Sequence, residues 1–116
     1  MTQEEIERLT AEYAQLQDTL QSIMLQNDQF KAQQAEYKEA LDILEKATGK
    51  IYRSVGGIVV EATKEEAIAD IKEKQEFTEM RLNIIAKQLQ ETSKKEQSLR
   101  EEISKLLKNQ QDGKEE

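Results

Sequence analysis

The sequence predicts a mainly α protein: a long antiparallel two-helix coiled coil with one central β-hairpin that oligomerises. Three observations carry that expectation. Two heptad-patterned segments have equal span, one short β-rich stretch lies between them, and no proline interrupts either. With 116 residues, 36% of them hydrophobic and 35% charged, the chain fits one domain over 1–116 and has no material for a thick core.

The first helix is expected at about 3–48. From Ile6 the apolar positions step by three and then four through Leu9, Tyr13, Leu16, Leu20, Ile23, Asn27, Phe30, Gln34, Tyr37 and Leu41 to Leu44, the spacing that keeps one seam on one face. Thr2-Gln3-Glu4-Glu5 reads as a capping box at its start. Gly49 can supply the left-handed residue at its end.

The hairpin is expected over 50–62. Gly56-Gly57 forms a two-residue turn between Ile51-Tyr52-Arg53-Ser54-Val55 and Ile58-Val59-Val60-Glu61-Ala62. Cross-strand pairing then places Ile51, Arg53, Val55, Ile58, Val60 and Ala62 on one largely apolar face, with Tyr52, Ser54, Val59 and Glu61 on the other. A lone hairpin is marginal in water. Its apolar face and both strand edges therefore call for hairpins of other subunits, in a closed barrel or a stacked sheet.

The second helix is expected at about 64–110, capped by Thr63-Lys64-Glu65-Glu66 and followed by a frayed tail over 111–116. Its seam runs from Ile68 to Leu106 and is interrupted by Gln75, Thr78, Thr92 and Glu96. Ile6 to Leu44 and Ile68 to Leu106 each span 38 positions, about 57 Å of helix at 1.5 Å per residue. Folding back at the hairpin pairs residues whose numbers sum to about 112. Leu44 then meets Ile68, Phe30 meets Leu82 and Ile6 meets Leu106. Gln34 falls opposite Thr78, and Gln75 falls beside Tyr37, whose hydroxyl is expected to reach it.

Composition narrows the function. A formal net charge of −7 disfavours nucleic acid and anionic membrane surfaces as partners. With no His and no Cys, the commonest metal ligand, the commonest general base and thiolate chemistry are all missing. Adjacent carboxylates such as Glu65-Glu66 and Glu101-Glu102 point about 100° apart on a helix and do not converge. No phosphate loop or nucleophile elbow occurs, so no catalytic, cofactor or metal residue is proposed and the chain is read as a non-enzyme. The acidic start "MTQEEIERL" and the lack of eighteen consecutive apolar residues lead us to expect a soluble, cytoplasmic protein.

The order of long helix, "KIYRSVGGIVVEATKEEA" and long helix resembles the beta class of the prefoldin family. Carrying features are Ile51-Tyr52-Arg53, the turn at Gly56-Gly57, the run Ile58-Val59-Val60, and a capped second helix with "IKEKQEFTEMRL". A single hairpin fits the beta class, and the short chain without Cys fits its archaeal members. The resemblance implies an ATP-independent holdase in which two alpha-class and four beta-class subunits join hairpins in a double β-barrel hub. Unfolded polypeptides are then held at the coiled-coil tips and delivered to a group II chaperonin. The implied hub residues are Ile51, Tyr52, Val55, Gly56, Gly57, Ile58, Val59 and Val60. The implied tip residues are Ile6, Leu9, Tyr13, Leu99, Ile103, Leu106 and Leu107. Periodicity by itself assigns six of these seven to sealing the seam, Leu107 being the exception. Phe77, Met80, Ile84 and Ile43 lie off the seam, where packing against neighbouring subunits is expected. The competing reading is a structural coiled-coil adaptor that recognises one folded partner, and binding of several unrelated denatured proteins without nucleotide separates the two.

Overall fold

The computed structural model describes residues 3–115. Its elements follow the order α1 (Gln3–Lys46), β1 (Ile51–Val55), β2 (Ile58–Ala62) and α2 (Lys64–Glu115). Contacts divide the chain into two compact units, one of Met1–Gln26 with Ile85–Glu116 and one of Asn27–Ile84, and both helices contribute to each.

The heptad pattern decides which side of each helix is covered. Every seam position from Ile6 to Leu44 on α1, and from Ile68 to Leu106 on α2, is buried or half-buried. In the first unit Ile6, Leu9 and Leu106 form a buried cluster against which Leu99 and Ile103 pack, so Ile6 meets Leu106 as the fold-back register requires. In the second unit the interrupted seam is also covered. Thr78 is only 2% exposed, and the side-chain oxygen Gln34 Oε1, also buried, has no hydrogen-bond partner among the described residues. A buried unpaired polar atom costs about 1–3 kcal/mol. Such a layer also penalises a slipped register, which would set these groups against aliphatic neighbours.

The connections around the hairpin are closed locally. At the end of α1 the Ala47 amide donates to the Leu44 carbonyl at 3.3 Å. Lys64 Nζ donates to the Glu45 carbonyl at 2.9 Å, which satisfies one of the unpaired acceptors of a helix end. These contacts end α1 at Lys46, two residues before the expected boundary, and Gly49 follows with a φ of 91°. The Glu66 amide donates to Thr63 Oγ1 at 3.1 Å and the Ala67 amide to the Thr63 carbonyl at 3.0 Å, so Thr63 caps α2 as expected. Such a cap is worth about 1 kcal/mol. The other expected capping residue, Thr2, lies outside the described residues. α2 continues helical to Glu115, where fraying was expected from 111.

Gly56 and Gly57 have φ values of 56° and 85°, positive at both central positions, as a type I′ hairpin turn demands. Open space surrounds both Cα atoms, so any other residue there is penalised by backbone conformation alone. The strands pair antiparallel in the expected register: Ile51 with Ala62, Tyr52 with Glu61, Arg53 with Val60, Ser54 with Val59 and Val55 with Ile58.

Candidate functional site

Apolar side chains gather in two regions, one bare and one mostly buried. The first is the hairpin. Ile51 and Ala62, at the strand ends nearest the helices, are half-buried. Beyond them the side chains are bare: Ile58 is 66% exposed and Val59 67%, with Tyr52, Val55 and Val60 exposed as well. Alternation places Val55, Ile58 and Val60 on one face and Tyr52 and Val59 on the other. Both faces therefore present apolar surface, where the pattern of residues drew attention to one. The two-stranded sheet also leaves the outer edge of each strand without a strand partner among the described residues.

The second region is the chain-terminal end of the helix pair in the first unit. Ile6, Leu9 and Leu106 are buried, Leu99, Ile103 and Tyr13 are half-buried, and Leu107 is half exposed. Five of the seven expected tip residues thus come together as one small core, Tyr13 stands just behind it, and Leu107 faces water.

Tyr13 does more than fill a layer. Its hydroxyl donates to Glu96 Oε1 at 2.8 Å and accepts from Gln17 Nε2 at 2.8 Å. Arg100 Nη1 lies 4.0 Å from the same Glu96 oxygen, so the polar seam position of α2 is held from both helices. The tyrosine hydroxyl that links the helices is this one. Among the described residues, Tyr37 makes no hydrogen bond to Gln75. The Glu96 carboxylate raises the Tyr13 pKa above its ordinary 10.0, chiefly by accepting this hydrogen bond, with desolvation and charge repulsion adding in the same direction.

A raised folded-state pKa means that the neutral hydroxyl favours the folded chain. That stabilisation is complete below the unfolded value and is lost as pH rises through the folded one. Above pH 10 the melting temperature of the native chain is therefore expected to fall more steeply than that of Tyr13→Phe, as followed by helical circular dichroism on heating. Parallel curves for the two proteins would refute the link.

A family model described as "Prefoldin subunit" matches residues 7–110, which takes in the hairpin and most of both helices. The chain belongs to the prefoldin family. Among prefoldins, it is 33% identical over 105 residues to "Prefoldin subunit beta" of Methanosarcina acetivorans, covering 89% of this chain and 90% of that one. To "Prefoldin subunit beta" of Pyrococcus furiosus it is 33% identical over 106 residues, covering 90% of this chain and 91% of that one. The crystal structure of the prefoldin beta subunit from Thermococcus strain KS-1 superposes with a TM-score of 0.82 at 30% identity, covering 89% of this chain and 92% of that one. That prefoldin match extends to the fold: two long helices with an antiparallel hairpin between them. Among the described residues, no helix is long and apolar enough to cross a membrane.

Proposed function

We propose that this chain is a beta-class subunit of an ATP-independent holdase. Membership of the prefoldin family supports assembly with other prefoldin subunits. In this reading the hairpins of two alpha-class and four beta-class subunits close a shared β-barrel hub in the cytoplasm. The terminal turns of each helix pair hold apolar segments of unfolded polypeptides and pass them to a group II chaperonin. Each arm binds weakly, and several arms on one hub raise the effective concentration of binding sites.

The observation that carries this reading is the bare hairpin, with Ile58 and Val59 about two-thirds exposed on opposite faces. Burying a side chain of this size is worth about 1.5–3 kcal/mol, most of which the described residues leave unrealised. The deciding experiment measures the mass of the purified chain, alone and mixed with an alpha-class prefoldin subunit, and then aggregation of several unrelated denatured proteins without nucleotide. Assembly in the mixture and suppression of all the aggregating proteins are expected. A mass that stays monomeric in both samples, or binding of one folded partner and no denatured protein, would reject the holdase.

A further inference from the structure

Two grooves lie along one flank of the helix pair in the unit of Met1–Gln26 with Ile85–Glu116. The one nearer the chain termini, of about 360 Å³, has the half-buried Leu16 and Leu99 as its floor and the exposed Glu12 and Glu102 at its rim. The other, of about 760 Å³, runs on past Ile23 between Gln15 and Gln26 of α1 and Gln88 of α2, with Asp18 and Glu91 at its edges. Lys95 lines both, so they adjoin there.

The charges of this flank are left open. Glu12 and Glu102 each directly precede a seam residue, Tyr13 and Ile103, at the flanking position where facing helices ordinarily set opposite charges. Here both helices set a carboxylate. Other carboxylates of the unit are engaged: Glu96 by Tyr13 and Arg100, and Glu101 by Gln97. Among the described residues Glu12, Asp18, Glu91 and Glu102 make no ion pair and no side-chain hydrogen bond, and one ammonium, Lys95, stands against the four. The side-chain amides of Gln15, Gln26 and Gln88 are likewise unpartnered among the described residues.

The occupant follows from what the groove leaves unmatched. Leu16 and Leu99 offer apolar surface to one side chain, and the unpaired carboxylates above them offer ion pairs to a Lys or Arg beside it. The amides farther along can meet backbone N–H and C=O groups. In a folded protein those groups are already paired, so this last contact selects a chain without secondary structure. We infer that the groove holds an extended polypeptide segment in which a basic residue adjoins an apolar one. The inference rests on the holdase reading and adds to it a charge preference, which the apolar cluster of Ile6, Leu9 and Leu106 cannot impose.

The test measures the fluorescence anisotropy of labelled, unstructured peptides on the full chain in its assembled state. Three peptides share one leucine-valine core and carry Lys, Gln or Glu on both sides of it. At about 20 mM salt the Lys peptide is expected to bind about tenfold tighter than the Glu peptide, and at about 500 mM the two are expected to converge. Glu12→Gln with Glu102→Gln is expected to bring the Lys peptide within about twofold of the Gln peptide at low salt, with helicity unchanged because both side chains are exposed. Glu39→Gln with Glu76→Gln, the same change of charge in the unit of Asn27–Ile84, is expected to keep the preference. Equal binding of the Lys and Glu peptides, none included, overturns the inference, as does a preference that survives the first variant or vanishes in the second. Equally tight binding of native lysozyme, a folded basic protein, overturns it too. In each case the holdase stands if aggregation is still suppressed; loss of peptide binding and of suppression together rejects both.

Discussion

The double variant Ile58→Asp with Val59→Asp is expected to dissociate the assembly into monomers while leaving the helices intact. These side chains are 66% and 67% exposed and flank the Gly57 side of the turn, pointing to opposite faces of the hairpin. Both side chains are mostly exposed and belong to no buried cluster among the described residues. In a shared hub, each lost aliphatic group removes about 1.5–3 kcal/mol of burial per subunit. A carboxylate forced into the same place adds a desolvation penalty of several kcal/mol, or else keeps the interface open. With tenfold in the association constant for each 1.4 kcal/mol, the two sites together shift half-assembly by about a thousandfold or more. Sedimentation velocity at micromolar concentration should show a single slow species, and circular dichroism should show unchanged helicity. An unaltered sedimentation profile would mean that the hairpin is not the element of assembly.

The contrast between Thr63 and Tyr13 shows how far residue patterns reach. Thr63 was legible because capping is a rule about residues three apart in one chain, and the Glu66 amide finds its side chain where that rule puts it. The hairpin register was legible for the same reason, since Gly56-Gly57 specifies both the turn and every pair beyond it. The seam was legible because period 3.5 over eleven turns admits one face only. Tyr13 was harder. Summing residue numbers places it across from Leu99, in the layer next to Leu16 and Glu96, and successive layers are about 5 Å apart along the helix. A tyrosine ring is long enough to carry its hydroxyl over one layer, so the bond forms diagonally to Glu96. The register sets Tyr37 directly across from Gln75, and a ring of the same length carries its hydroxyl past an amide in its own layer. Pattern resolves which layer a residue occupies; which polar ends meet within it depends on side-chain reach. The end of α1 was set by a contact equally invisible to pattern, the reach of Lys64 back to Glu45.

Removing residues 1–14 and 99–116 is expected to abolish suppression of aggregation while the assembly keeps its subunit number. The deletion takes away Ile6, Leu9, Leu99, Ile103 and Leu106, the apolar cluster of one unit, together with Leu107. It spares the hairpin and the whole unit of Asn27–Ile84. A buried cluster can serve a client because the last turns of a helix pair open at far lower free energy than the middle, where each residue is held from both sides along the chain. The layers behind the cluster favour opening there: the fold-back register sets Leu16 opposite Glu96 and Leu20 opposite Thr92, all four half-buried, and polar groups on one side leave little apolar burial to lose. Tyr13 then has a second role, because its bond to Glu96 marks the point at which opening meets resistance. Leu107, already half exposed, is available without any opening. Leu107→Ser alone should therefore weaken client retention by no more than about tenfold per arm, the worth of one aliphatic side chain partly buried. The deletion should remove retention altogether. Light scattering of an aggregating client and sedimentation of the truncated protein measure the two quantities separately. If suppression persists at full strength in the truncated assembly, the terminal turns only seal the coiled coil, and apolar segments are held elsewhere on the arm.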